Sequence, residues 1–100
     1  MRNYRFVLED IKVKVGADIG PLTMGGLGLV LTDGKTLKDV LLQARSWMAE
    51  HKITKISVEK DKVILENSSC VYECYVEKER FEDLSDHDLH EIKAELIYEL

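Results

Sequence analysis

Residues 70–77 alternate with period two: Cys70, Tyr72, Cys74 and Val76 fall on one side, Val71, Glu73, Tyr75 and Glu77 on the other. A strand of a parallel sheet is covered on both faces and reads as a continuous apolar run. This one is apolar on one side and half charged on the other. It therefore calls for an antiparallel sheet with one packed face and one wet face. The segments before it agree. Ile53 to Val58 and Val63 to Glu66 are short apolar runs joined by the polar Lys60, Asp61 and Lys62, and residues 67–69 make the next turn. The three strands form a meander.

The N-terminal segment, Tyr4 to Val15, is also strand-like, but its phase slips. Phe6 and Leu8 share one parity; Ile11, Val13 and Val15 share the other. A one-residue slip would turn every later side chain to the wrong face. A β-bulge at Glu9 and Asp10 absorbs it, since that pair lacks the Gly or Asn of a two-residue hairpin turn. Leu27 to Leu31 is a further apolar run with β-branched Val30, closed by Asp33 and Gly34, and reads as a buried strand.

Two stretches switch to a period of 3.6. Thr36 is a good N-cap and Asp39 suits the positive end of a helix. Leu37, Val40, Leu41, Ala44, Trp47 and Met48 then form one apolar face, and the helix is expected to end near His51 and Lys52. Trp47 reads as a core anchor of that face. Ser85 caps the second helix, with Asp88 at the capping-box position, and Leu89, Ile92, Leu96 and Leu100 form its stripe. The expectation is an α+β fold: a mostly antiparallel five-stranded sheet with two amphipathic helices on one face, in the order β-β-α-β-β-β-α.

One hundred residues suffice for one domain, taken as 1–100. The formal net charge is −5, divided as +3 over residues 1–62 and −8 over 63–100. An acidic balance argues against nucleic-acid binding, which needs clustered Lys and Arg. The acidic segment suits solvent or a basic partner. No stretch approaches the roughly 20 apolar residues of a membrane span. The first 15 residues carry a charge every few positions, unlike a secretory leader, so a cytoplasmic location is expected. Cys70 and Cys74 would lie about 13 Å apart on a straight strand, at roughly 3.3 Å per residue. A disulfide needs Cα atoms within about 7 Å, so both read as reduced, buried thiols.

Five of the six glycines and the single proline fall within residues 17–34. Gly26, Leu27 and Gly28 begin a dinucleotide fingerprint, but Leu31 stands where its last Gly belongs and a strand follows instead of a helix. Gly28 and Gly34-Lys35-Thr36 imitate a P-loop with one residue too many between the glycines. Neither is a phosphate cradle, and no cofactor is expected. The segment reads instead as a long connection with unpaired backbone donors. Its apolar residues need something to pack on. Ile19, Leu22, Thr23, Met24, Gly25, Gly26 and Leu27 are therefore candidates for a ligand lip or a partner contact.

Other chemistry is thin. His87, His90 and Glu91 fall on one helix, but H-E-x-x-H is absent and no second ligand cluster accompanies them. Metal binding is an outside reading. Cys70 and Cys74 have acidic neighbours, which does not suit a reactive thiolate. No catalytic residues are singled out. The reading is a non-catalytic interaction domain, homo-oligomeric, using the half-apolar sheet face or an open sheet edge. Val71, Glu73, Tyr75, Glu91 and Glu95 are its candidate interface residues. Two alternatives stand beside it: a small-ligand protein or minor enzyme with residues 19–28 over a pocket, and a small acidic inhibitor of a basic partner.

Overall fold

A computed structural model describes residues 3–15, 18–59, 62–81 and 83–97. In chain order the elements are β1 (Tyr4–Val15), β2 (Asp18–Met24), β3 (Leu29–Gly34), α1 (Leu37–Glu50), β4 (Lys55–Val58), β5 (Val63–Glu66), β6 (Cys70–Lys78) and α2 (Asp86–Ile97). A 3-10 turn at Glu79–Phe81 precedes α2. No helix among the described residues is long and apolar enough to cross a membrane.

The sheet is organised around β1. One flank of β1 pairs antiparallel with β6, from Tyr4↔Lys78 to Val13↔Cys70. The other flank is shared: β3 takes Tyr4 to Leu8, and β2 takes Ile11 to Val15. Across its width the sheet therefore runs β2 or β3, then β1, β6, β5 and β4. It is an antiparallel sheet five strands wide with two helices, an α+β fold in the expected order once β2 and β3 share one rank. The slip at Glu9 is a bulge: the β1–β6 register shifts between Leu8 and Asp10. This keeps Phe6 and Leu8 before it, and Ile11 after it, on the packed face.

β2 was not expected. Residues 19–28 read as a connection, but 18–24 form a strand that pairs with β1 at Asp18, Ile19, Thr23 and Met24. Pro21 misled the reading because it cannot donate to a ladder. It is tolerated here because β2 lies at the sheet edge and the register shifts across that part of the strand, between Lys12↔Thr23 and Lys14↔Ile19. β3 also begins two residues later than expected and runs on through Gly34.

Both helices pack on one face. Phe6, Leu8, Val63, Leu65, Cys74 and Val76 from the sheet meet Leu37, Val40, Leu41, Ala44 and Met48 of α1, and Ile92 and Leu96 of α2, in one apolar cluster. Each fully buried Leu, Ile, Val or Phe contributes about 1.5–3 kcal/mol. α1 starts where Thr36 Oγ1 accepts the Asp39 N–H at 3.2 Å. At α2 the capping box closes with Asp in place of Glu. The Ser85 N–H donates to Asp88 Oδ2 at 3.0 Å, and the Asp88 N–H donates to Ser85 Oγ at 3.1 Å.

The same Asp88 carboxylate forms an ion pair with Lys78 Nζ at 2.6 Å, both side chains being less than a tenth exposed. Burial alone would raise the Asp88 pKa. The hydrogen bonds from Lys78 and Ser85 outweigh it and hold the carboxyl below its ordinary range. The end of β6 is thereby locked to the first turn of α2. Asn67 does similar work at the β5–β6 turn. Its Oδ1 accepts the Ser69 and Cys70 N–H groups, and its Nδ2 donates to the His51 carbonyl at the end of α1.

Candidate functional site: an open sheet edge

β1 and the composite strand β2–β3 make one long hairpin, kinked in the middle. The kink lies at residues 25–28, opposite the Glu9 bulge, where the Leu27 N–H donates to the Glu9 carbonyl at 3.0 Å. Gly26 and Gly28 have φ of 68° and 56°, the left-handed region that glycine enters without strain. The glycines of the sequence cluster are thus spent on re-aiming a strand. Gly25 has a different reason. A Cβ there would stand 2.5 Å from Asp10 Oδ1, so the Asp10 carboxylate lies against this position.

After the kink the chain is apolar and exposed. Leu29 is 54% exposed and Val30 44%, and Leu27 is exposed beside them. The expectation of a buried strand is corrected here. β3 pairs with β1 alone among the described strands, so an apolar run that would be interior in a central strand stands at the margin. Beyond Val30 the edge changes character. The β1–β3 register shifts at Leu31, Thr32 donates its hydroxyl to the Val40 carbonyl of α1, and Gln43 Nε2 donates to the Asp33 carbonyl at 3.0 Å. α1 therefore covers the far end of β3 and leaves Leu27 to Val30 uncovered. An edge strand with free backbone groups and apolar side chains is a template for another strand.

The residues singled out in the sequence are scattered. Ile19, Leu22, Thr23 and Met24 lie on β2 by backbone, while their side chains lie outside the described residues. Gly25, Gly26 and Leu27 form the kink. Val71, Glu73 and Tyr75 occupy the open sheet face, but Glu91 and Glu95 lie on α2 across the core, so the five make no common patch. Val71 is only 6% exposed within the chain itself. Glu73 is held by Lys12 at 3.0 Å, and that hydrogen bond leads the causes that lower its pKa. Burial first, then the charges of Glu77 and Glu9, push the Tyr75 hydroxyl up. Further ion pairs, Arg5–Glu77 and Lys14–Glu66, cross the same face. Glu95 pairs with Arg45 of α1 at 3.5 Å.

His87 and His90 are exposed on α2 and Glu91 is half-buried beside them. No group of three His, Cys, Asp or Glu among the described residues is placed to hold a metal ion. The two thiols part company. Cys74 is fully buried, and burial, then the neighbouring Glu73 charge, push its pKa up to about 12. Cys70 is half-buried, which corrects the expectation that both are buried. Trp47 packs at the rim of the core, stacked on His51 at 3.8 Å and edge-on to Tyr72 at 5.2 Å.

A groove of about 560 Å3 opens between α1 and α2, lined by Leu42, Arg45, Ser46, Met48, Ala49, Ile53 and Leu96. Of the predicted lip, the described residues Gly25 to Gly28 do not line it. Compared with known proteins, the chain matches no family model, no curated protein and no solved structure.

Proposed function

We propose that this protein is a non-catalytic interaction domain that works by presenting the β3 edge to a strand of another chain. The observation that carries this is the exposure of Leu29 and Val30 on a strand that, among the described strands, pairs with β1 alone. Natural sheets usually blunt such a margin with Lys, Pro or a covering element. Here the covering stops at Asp33, and residues 27–30 remain apolar. Added main-chain hydrogen bonds supply affinity in this mode, and alternate side chains supply selectivity. A cytoplasmic setting belongs to the same reading, since Cys70 and Cys74 are both free thiols.

The test is site-specific photo-cross-linking in living cells. A photoreactive phenylalanine analogue replaces Leu29 in one variant and Lys55, on the opposite sheet margin, in another. Covalent capture of a discrete partner from position 29 and not from 55 supports the proposal. Equal capture from both positions, or none from 29, removes it.

A further inference from the structure

We infer that Asn67 is a modification site, a covalent timer on the end of α1: its side-chain amide is labile, and the fold delays its loss until the β5–β6 turn opens. The inference stands apart from the sheet edge. Of the two asparagines, Asn3 precedes bulky Tyr4, whereas Asn67 precedes Ser68, small and exposed in the turn. Asparagine is thermally labile because the next backbone nitrogen can attack its side chain. Here the Ser68 nitrogen attacks Asn67 Cγ and releases its proton. The Cγ–Nδ2 bond breaks with its electron pair, and Nδ2 takes up that proton and leaves as ammonia. A solvent water then opens the cyclic imide at either carbonyl, leaving aspartate or its β-linked isomer at position 67.

Hydrogen bonds hold the amide out of this reaction. Asn67 Oδ1 accepts the Ser69 N–H at 2.8 Å and the Cys70 N–H at 2.7 Å, and Nδ2 donates to the His51 carbonyl at 2.8 Å. Ring closure needs Cγ to turn toward the Ser68 nitrogen, so the amide must leave these partners. Lys14 keeps the turn itself closed: its N–H donates to the Ser69 carbonyl and its Nζ to the Asn67 carbonyl, both at 2.8 Å. Reaction therefore waits on local opening, which takes less free energy than global unfolding. The product cannot restore the closed state. An ionised carboxylate still accepts from Ser69 and Cys70, but it has no hydrogen for the His51 carbonyl. It also sets a negative charge against the carbonyl end of α1, where the helix dipole disfavours it. Each opening that runs to completion thus loosens the end of α1 for good, and with it Trp47, stacked on His51 at 3.8 Å.

Peptide mapping by mass spectrometry tests the timer on the full wild-type chain, incubated at mildly alkaline pH in native buffer and in guanidinium chloride. Amide loss at Asn67 should run about tenfold or more faster in the unfolded chain, with the β-linked isomer among its products. Equal rates in the two states overturn the inference, because the fold then delays nothing. So does an Asn67 that persists in the unfolded chain, because the site is then not labile. The consequence is read on Asn67→Asp, which should lower the denaturation midpoint and change the fluorescence of Trp47, the single tryptophan. A variant with the wild-type midpoint and spectrum overturns the inference, since the modification then leaves α1 as it was. Should Asn67→Asp fail to fold, wild-type chain aged in native buffer replaces it. Its Trp47 signal must change in step with the modified fraction, and a constant signal as that fraction rises overturns the inference.

Discussion

The two margins of this sheet are finished differently. At β4 the strand is four residues long, Lys55 stands exposed at its start and reaches Glu66 at 3.7 Å, and α2 packs alongside. No large exposed hydrophobic residue lies on it. At β3 the covering helix reaches only as far as Asp33, and the apolar residues before it face outward. Charged residues make up 33% of the chain, so polar side chains were not scarce. A sequence that closes one margin with charge and a helix, and leaves leucine and valine on the other, treats them as surfaces with different tasks.

The largest way to break this contrast acts on the closed margin. Asp88→Asn removes the charge from one side of the buried Lys78–Asp88 pair. Removing one partner of a buried pair costs about 3–5 kcal/mol. Urea unfolding should report a loss of that size, and amide exchange should show β4 opening as α2 loosens. A loss under about 1 kcal/mol would mean that the pair does not hold α2. The pH dependence has a definite sign. The folded pKa of Asp88 is depressed, so its contribution is complete above the unfolded value, about 3.9. It disappears as pH falls through the lower folded value. The difference between wild type and Asp88→Asn should therefore shrink below about pH 4.

A smaller effect sharpens the contrast from the open side. Gly26→Val forces a β-branched side chain into a left-handed backbone, with open space around it and no clash to confuse the result. The strain should cost about 1–2 kcal/mol and raise exchange in β3 while β4 and β5 keep their protection. Equal loosening at both margins would show that the kink is not local to the hairpin. The smallest effect concerns the boundary between covered and uncovered edge. Gln43→Ala frees the Asp33 carbonyl at a cost of about 0.5–1.5 kcal/mol, read from the denaturation midpoint. It should lengthen the accessible edge, visible as faster exchange near Asp33.

What the sequence disclosed was local. The Thr36 cap and the apolar stripe place α1 within a residue of its observed ends. The phase slip at Glu9 locates the bulge, because a buried face tolerates no change of parity. The Ser85–Asp88 box starts α2 although its acid is a residue type short of the usual one. What stayed hidden depends on partners distant in sequence. β2 contains Pro21, and only the free flank of β1 makes a strand of it. The run Leu29 to Leu31 looks the same whether it is central or marginal, and its place is set by tertiary pairing. Val71 reads as half-wet from its own strand, yet its neighbours bury it. Lys78 reads as a surface lysine until α2 brings Asp88 to it.

At one end the central seam of the sheet joins residues seventy or more positions apart, Tyr4 with Lys78 and Phe6 with Val76. The hairpin on the other flank of β1 needs only neighbours to zip, and such local pairing forms first. During synthesis the inner flank of β1 must wait, bare, until β6 leaves the ribosome. The nascent chain therefore carries a second vacant strand margin that the finished fold conceals.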